Sequence, residues 1–299
     1  MKPLNIAKVD TISSVLKTDL KNLTYISGQI DKFYVEGVIE KKFGEKRILH
    51  KPSYALKITQ SNLKSLLSII PLPDSVHGWV KGKSIRSAIE PHVNMKYLYC
   101  LDIKSYFDSI RNTQVFNLFT KQLLCSPEVA KLLTKLSTYR YCLPQGSPCS
   151  PVIANLILFD FDKSMKNYTS KRNAKYSRLG DDILISSNHK IDDATHVVVE
   201  ALRRYGLKVN REKSHIGVPK KSGVKVLGVV IGSGITISRQ YRKKIRAILH
   251  NAKITGLSAQ NVEGRFEWRK HLAGRIGFIE MFDPINGANL RKELDSIRD

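Results

Sequence analysis

The sequence predicts an α+β fold, an antiparallel sheet set among helices and followed by a helical, basic C-terminal stretch. Three observations predict it. Tyr176 to Ser187 reads as strand, turn, strand, with Gly180-Asp181-Asp182 at the turn. Tyr97 to Ile103 is a compact apolar run bounded by polar segments, a buried strand ending in Asp102. From Arg239 onward the chain looks entirely helical, with Tyr241, Ile245, Ile248 and Leu249 on one apolar stripe.

The remaining elements follow in order. Residues 11 to 30 and 53 to 70 carry apolar side chains at helical spacing; in the second, Leu56, Ile58, Leu63, Leu66, Leu67 and Ile70 precede a Pro71-Leu72-Pro73 stop. Lys32 to Leu49 reads as two short strands joined by a turn at Phe43-Gly44-Glu45. Residues 113 to 139, 150 to 168 and 191 to 205 look helical. Val224 to Ile231 and Ile235 to Ile237 predict a hairpin around Gly232-Ser233-Gly234.

Charge points to the partner. Fifty Lys and Arg face 26 Asp and Glu, a formal charge of +24 on 299 residues. Such an excess attracts polyanions, nucleic acid above all, and predicts steeply salt-dependent binding. Arg239, Arg242, Lys243, Arg246 and Lys253 fill the polar surface of one helix with charge of one sign, the pattern of a phosphate-backbone contact. Met1 to Leu20 lacks the apolar core of a signal peptide, and no run approaches the ~20 apolar residues that span a bilayer. Cys100, Cys125, Cys142 and Cys149 form no Cys-x-x-Cys pair, so neither zinc nor a disulfide framework is expected. A cytoplasmic protein with reduced thiols and no membrane partner is the expectation.

Asp102 lies at the end of an apolar strand, and Asp181 and Asp182 at a hairpin tip. Charge so close to a buried run is costly unless paired. A nearby lysine is one solution, and Asp-Asp alone is a common turn. The sharper solution is magnesium, which takes hard oxygen ligands from one or two carboxylates and completes its shell with water and phosphate. Two such ions about 3.5–4 Å apart activate an attacking hydroxyl and stabilise a leaving pyrophosphate.

The motifs fall in an order that resembles the reverse transcriptases. Leu101-Asp-Ile-Lys-Ser-Tyr-Phe-Asp-Ser-Ile110 looks like their first catalytic motif, and Leu143-Pro-Gln-Gly-Ser-Pro-Cys-Ser-Pro151 with Ala154-Asn155 like their second. Tyr176-Ser-Arg-Leu-Gly-Asp-Asp-Ile-Leu-Ile-Ser186 resembles the third, Gly206-Leu-Lys-Val-Asn-Arg-Glu-Lys213 the fourth, and Val224-Lys-Val-Leu-Gly228 the primer-contacting hairpin. Upstream, Glu45-Lys-Arg-Ile-Leu-His-Lys-Pro52 and Val76-His-Gly-Trp-Val-Lys-Gly-Lys-Ser84 are similar to fingers motifs of bacterial members.

The resemblance implies a right-hand polymerase fold: fingers and an antiparallel-sheet palm over residues 1–235, and a basic helical thumb over 236–299. It implies two magnesium ions on Asp102, Asp181, Asp182 and the Ile103 carbonyl. Arg47 would hold the triphosphate of an incoming deoxynucleotide, and Gln145 and Gly146 would line its pocket. Phe107 would press on the sugar and exclude a 2′-hydroxyl, and Lys213 would approach the pyrophosphate as a proton donor. Val226, Leu227 and Gly228 would contact primer and template, and His92 would recognise RNA.

Shortness and the lack of maturase or endonuclease extensions favour the retron type within the family. Such enzymes copy part of their own structured noncoding RNA into a branched, RNA-linked single-stranded DNA, serve in antiphage defence and pair with an effector protein. Group II intron-like, diversity-generating and stand-alone defence enzymes are the alternatives, with an inert RNA-binding scaffold from another class. Three departures stand out. Ser87-Ala88-Ile89-Glu90-Pro91-His92 only approximates the retron Asn-Ala-x-x-His, and Val226-Leu227-Gly228 replaces Val-Thr-Gly. Leu179-Gly180 stands where the family has Tyr-Ala, removing an aromatic from the primer end. The resulting Gly-Asp-Asp is typical of viral RNA-copying RNA polymerases, but Leu-Pro-Gln-Gly and Phe107 oppose that reading.

Overall fold

The computed structural model describes residues 1–40, 46–219, 223–262 and 264–297. The turn expected at Phe43-Gly44-Glu45 lies outside them.

The chain divides into two compact units. The first comprises Met1–Ser84, Tyr99–Ile185 and Ile191–His215. Helices α1 (Val9–Leu16), α2 (Leu20–Gly28) and α3 (Tyr54–Leu67) surround a hairpin of β1 (Tyr34–Glu40) and β2 (Lys46–Pro52), antiparallel from Tyr34↔Pro52 to Glu40↔Lys46. Residues 11–30 are two helices, because Lys17 turns left-handed (φ 52°) and the Asp19 carboxylate caps the second by accepting from Asn22 N at 2.9 Å.

After α4 (Ile85–Ile89), β3 (Tyr97–Asp102) enters the sheet, followed by α5 (Tyr106–Ser109), α6 (Asn112–Asn117), a π-helical turn (Leu118–Gln122) and α7 (Pro127–Ser137). The helical stretch expected over 113–139 breaks at left-handed Leu124 (φ 53°) and restarts at the Ser126 cap with Pro127 in the first turn. Helices α8 (Ser150–Ile157) and α9 (Phe159–Ser170) lead to the hairpin β4 (Lys175–Leu179) and β5 (Asp182–Ser187), then α10 (Ala194–Arg203) and β6 (His215–Gly217). The sheet order is β4-β5-β3-β6, which sets the two aspartate-bearing strands side by side.

Gln60 ties the first unit together. Its amide donates to Tyr34 Oη (2.7 Å) and Leu136 O (2.9 Å), and its Oε1 accepts from Ser147 Oγ at 2.8 Å. A side chain with no exposed surface that satisfies three separate segments fixes their relative placement.

The second unit holds Ile85–Leu98, Ser186–Lys190 and Ile216–Asp299. Its sheet is a meander of β7 (Val224–Val226), β8 (Val229–Ile231) and β9 (Ile235–Ile237). The expected single hairpin gains a second turn at Leu227-Gly228, where positive φ at both residues (50° and 84°) matches a tight two-residue loop. Helices α11 (Arg239–Thr255), α12 (Trp268–Phe282) and α13 (Pro284–Ser296) follow. The end is therefore not entirely helical: Gly256, at φ 84°, stops α11, and no α-helix forms among the described residues from there to Glu267. Gly287 packs so closely that an added Cβ would lie 2.5 Å from Glu280 Cα, which locks α13 against α12.

Candidate active site

The β4–β5 turn is built from below by a buried ion pair. Arg178 and Asp162 have no exposed surface. The guanidinium donates to both carboxylate oxygens (Nε to Oδ1 2.8 Å, Nη2 to Oδ2 2.7 Å), the bidentate fork that makes such a pair tolerable inside a protein. Tyr176 donates a third bond to Asp162 Oδ1 at 2.6 Å. The remaining Nη1 donates to the Gly180 carbonyl (2.9 Å), Asn155 Oδ1 (3.0 Å) and Tyr106 Oη (3.3 Å). Arg178 thus clamps the residue before Asp181 and joins the first three motifs through single side chains. Arg178 and Asn155 lie inside motifs whose resemblance assigns them no role, and Asp162 lies outside every motif. The available signal was an arginine in a strand otherwise destined for burial.

Asp102 is held from the other side. Asn210 N donates to its carbonyl (2.7 Å) and Ser214 Oγ lies 3.2 Å from its amide nitrogen. Ile103 N donates to Asp181 O at 2.9 Å, so the strand end and the hairpin tip meet directly. Lys213 Nζ stands 3.7 Å from Asp102 Oδ2, which places the fourth-motif lysine beside the carboxylates.

Two of the three aspartates, Asp102 and Asp182, are perturbed, first by burial and then by neighbouring charge. Burial, reinforced by the charges of Asp181 and Asp102 and offset by Lys213, raises the Asp182 carboxyl from 3.8 to about 7. Burial also raises Asp102, against the pull of Lys213 and with a further push from Asp181. A cluster of carboxylates short of positive charge is a hard-oxygen donor set that a divalent cation would relieve. Among the described residues no three such side chains close into a preformed metal cage. Magnesium takes one or two carboxylates and completes its shell with water and substrate phosphates.

The sign of this perturbation is testable. Between pH 4 and 7 the folded, metal-free protein binds more protons at Asp182 than the unfolded chain, so its stability falls as pH rises through that window. In chelator, Asp182→Asn is expected to raise the melting temperature at pH 8 by about 2 °C, for a gain of ~1 kcal/mol. The gain shrinks toward pH 5, and thermal scans at both values check it.

The second-motif turn adjoins the β1–β2 hairpin. Gln145 O accepts from His50 N at 2.7 Å, and a Cβ on Gly146 (φ 119°) would lie 2.7 Å from His50 O, so only glycine fits. The Gln145 amide donates to Asp108 Oδ2 at 2.8 Å, fixing its side chain to the first motif. Arg47 is exposed on β2, opposite Ile39. Phe107 is half-buried, its ring 5.4 Å from Tyr106 and 5.7 Å from Trp79. Asp102, Ile103, Phe107, Gln145, Gly146, Lys213 and Arg47 all belong to the first unit.

The residues assigned to RNA contact belong to the second unit. His92 is fully buried with Nδ1 2.7 Å from Ser186 Oγ, so its ring presents no surface to a ligand in this conformation. Val226 is also buried, while Leu227 and Gly228 form the turn beyond it. On α11, Arg239, Lys243 and Arg246 are exposed; Arg242 pairs with Asp283 at 3.7 Å and Lys253 with Glu293 at 2.7 Å. The cysteines are free, and no helix among the described residues is long and apolar enough to cross a membrane.

Comparison with known proteins bears on the same residues. Residues 39–231 match the family model "Reverse transcriptase (RNA-dependent DNA polymerase)". The chain is 30% identical to the retron Ec86 reverse transcriptase of Escherichia coli, across 91% of this chain and 83% of that one. It is 27% identical to the retron Se72 reverse transcriptase of Salmonella heidelberg, across 98% and 80%. A telomerase from Candida albicans, solved with a fragment of telomeric RNA, superposes with a TM-score of 0.50 at 11% identity. That match covers 88% of this chain and 56% of the telomerase, and carries the fold alone, the expected right-hand polymerase. With the ordered motifs, the family match across most of the first unit and the retron relatives along nearly the whole chain, this protein belongs to the reverse transcriptases, RNA-directed DNA polymerases, and among them to the retron type.

Proposed function

We propose that this polymerase copies a cognate structured noncoding RNA into an RNA-linked single-stranded DNA, with Asp102, Asp181 and Asp182 holding two magnesium ions. The observation that carries the site is the meeting of Asp102 with the Asp181-Asp182 turn, where burial and neighbouring carboxylate charge raise the proton affinity of Asp102 and Asp182. When bound, the metals would activate the primer hydroxyl and neutralise charge on the leaving pyrophosphate. The protein's part is positioning. The Ile103 carbonyl adds an oxygen to the donor set, Lys213 offers a proton to the pyrophosphate, and Arg47 holds the triphosphate. Gln145 and Gly146 shape the nucleotide pocket, and Phe107 discriminates against a 2′-hydroxyl.

Residues 1–235 serve as fingers and palm and 236–299 as thumb in this reading. Leu227 and Gly228 meet primer and template, and Arg239, Lys243 and Arg246 track phosphate. Arg242 does so less, since Asp283 already neutralises it. Replacing Arg239, Lys243 and Arg246 together with alanine is expected to lower the slope of log affinity against log salt by about 2–3, read from an RNA-binding titration.

The test of the activity is primer extension on RNA with magnesium and deoxynucleotides. No extension on any RNA template would overturn it. The resemblance to retron enzymes further supports a place in cytoplasmic antiphage defence beside an effector protein. Sequencing the nucleic acid that copurifies from native cells tests the product: a branched RNA–DNA hybrid supports it, and ordinary RNA alone points to an intron-like, diversity-generating or stand-alone relative.

A further inference from the structure

Trp79 is an unusual residue in an unusual place. It is 52% exposed, and its backbone is left-handed at φ 56°, a region that bulky side chains rarely occupy. Conformations of this kind persist only where the surroundings hold them. Here they do. Asn155 Nδ2 donates to the Gly78 carbonyl at 2.8 Å, and His77 N donates to the Arg178 carbonyl at 2.8 Å. An ideal Cβ on Gly78 would lie 2.5 Å from Gly180 N, so the loop meets the aspartate turn backbone to backbone.

The indole then occupies the space that a side chain at Gly180 would need. A Cβ there would fall 2.9 Å from both Cη2 and Cζ3 of Trp79. The ring also packs near Phe107, at 5.7 Å between centroids. Trp79 therefore forms a half-open aromatic surface between the residue before Asp181 and the residue assigned to the incoming sugar.

We propose that Trp79 is the platform on which the terminal nucleotide of the primer rests, supplied by the Val76–Val80 loop and admitted by the glycine at 180. The inference rests on the polymerase site proposed above. A hydroxyl that attacks at Asp102, Asp181 and Asp182 belongs to a nucleotide lying against their neighbours, and the aromatic face beside Gly180 is Trp79. Base–aromatic stacking tolerates any sequence, as a polymerase requires of the group that seats its primer end.

The chain has two tryptophans, Trp79 and Trp268, so Trp268→Phe leaves Trp79 as the sole indole reporter. Titrating that variant with an RNA template annealed to a DNA primer, without metal or nucleotide, is expected to quench its emission. A primer ending in an abasic nucleotide is expected to quench little. Trp79→Leu keeps apolar bulk and loses the aromatic face; the primer–template concentration for half-maximal extension should rise about tenfold, with the KM for deoxynucleotide unchanged and Trp79→Phe restoring most of the loss. Equal quenching by the abasic primer, a rise confined to the deoxynucleotide KM, or full activity of Trp79→Leu would each overturn the proposal. Quenching needs no catalysis, so a wild-type protein that fails to extend would sink the polymerase reading and leave this one still decided by the fluorescence. A misfolded Trp79→Leu leaves the same decision to the quenching of the native ring.

Discussion

Asp181→Asn is expected to extend no primer at a measurable rate, a loss of at least ~10³-fold, while binding RNA as tightly as the native protein or slightly more so. Asparagine keeps the size of the side chain and tolerates the turn, so the Arg178 clamp on Gly180 is undisturbed. What goes is one negative charge beside Asp102 and Asp182. Phosphoryl transfer depends on the charge that the metals bring, and a weakened donor set loses it. RNA, a polyanion, is repelled by that same charge and gains from its removal. Paired primer-extension and RNA-binding assays separate the two effects. Collapse of RNA binding together with extension would mean that Asp181 is structural, and the metal site would have to be sought elsewhere.

The second large effect lies one layer deeper. Asp162→Ala is expected to destabilise the protein by ~3–5 kcal/mol, because it strands a guanidinium with no exposed surface and no counterion. The denaturant midpoint reads this directly. A double variant, Asp162→Leu with Arg178→Met, removes both charges and should recover much of the stability. Extension should stay low, since Gly180 loses the donor that fixes the turn before Asp181. Normal extension by the double variant would reduce the Arg178 network to a stabilising role. Arg178→Lys should behave like a lesion too, as an ammonium cannot span two carboxylate oxygens, Asn155 and Gly180 at once.

Legibility in the sequence followed the range of the forces involved. The strand ending at Asp102 and the hairpin around Gly180 were readable because alternation and turn chemistry act over a few residues. Helix interruptions at Lys17 and Leu124 were missed, because apolar spacing continues across a single left-handed residue. The turn at Leu227-Gly228 hid inside an apolar run for the same reason. His92 looked like a recognition residue from its neighbours in sequence, and only packing against Ser186 shows it enclosed.

By itself, then, the sequence determined the family, through the ordered motifs that carry its resemblance, the α+β class and the basic character of the C-terminal helices. Each of these is written in local order and spacing. Tertiary structure alone decided that Arg178 reaches Asp162, Asn155, Tyr106 and Gly180 together, that Lys213 stands beside Asp102, and that Trp79 fills the place beside Gly180. Those relations join residues up to a hundred or more positions apart. They depend on which buried charge finds a partner and which glycine leaves room for a ring, and neither is fixed until the chain has folded.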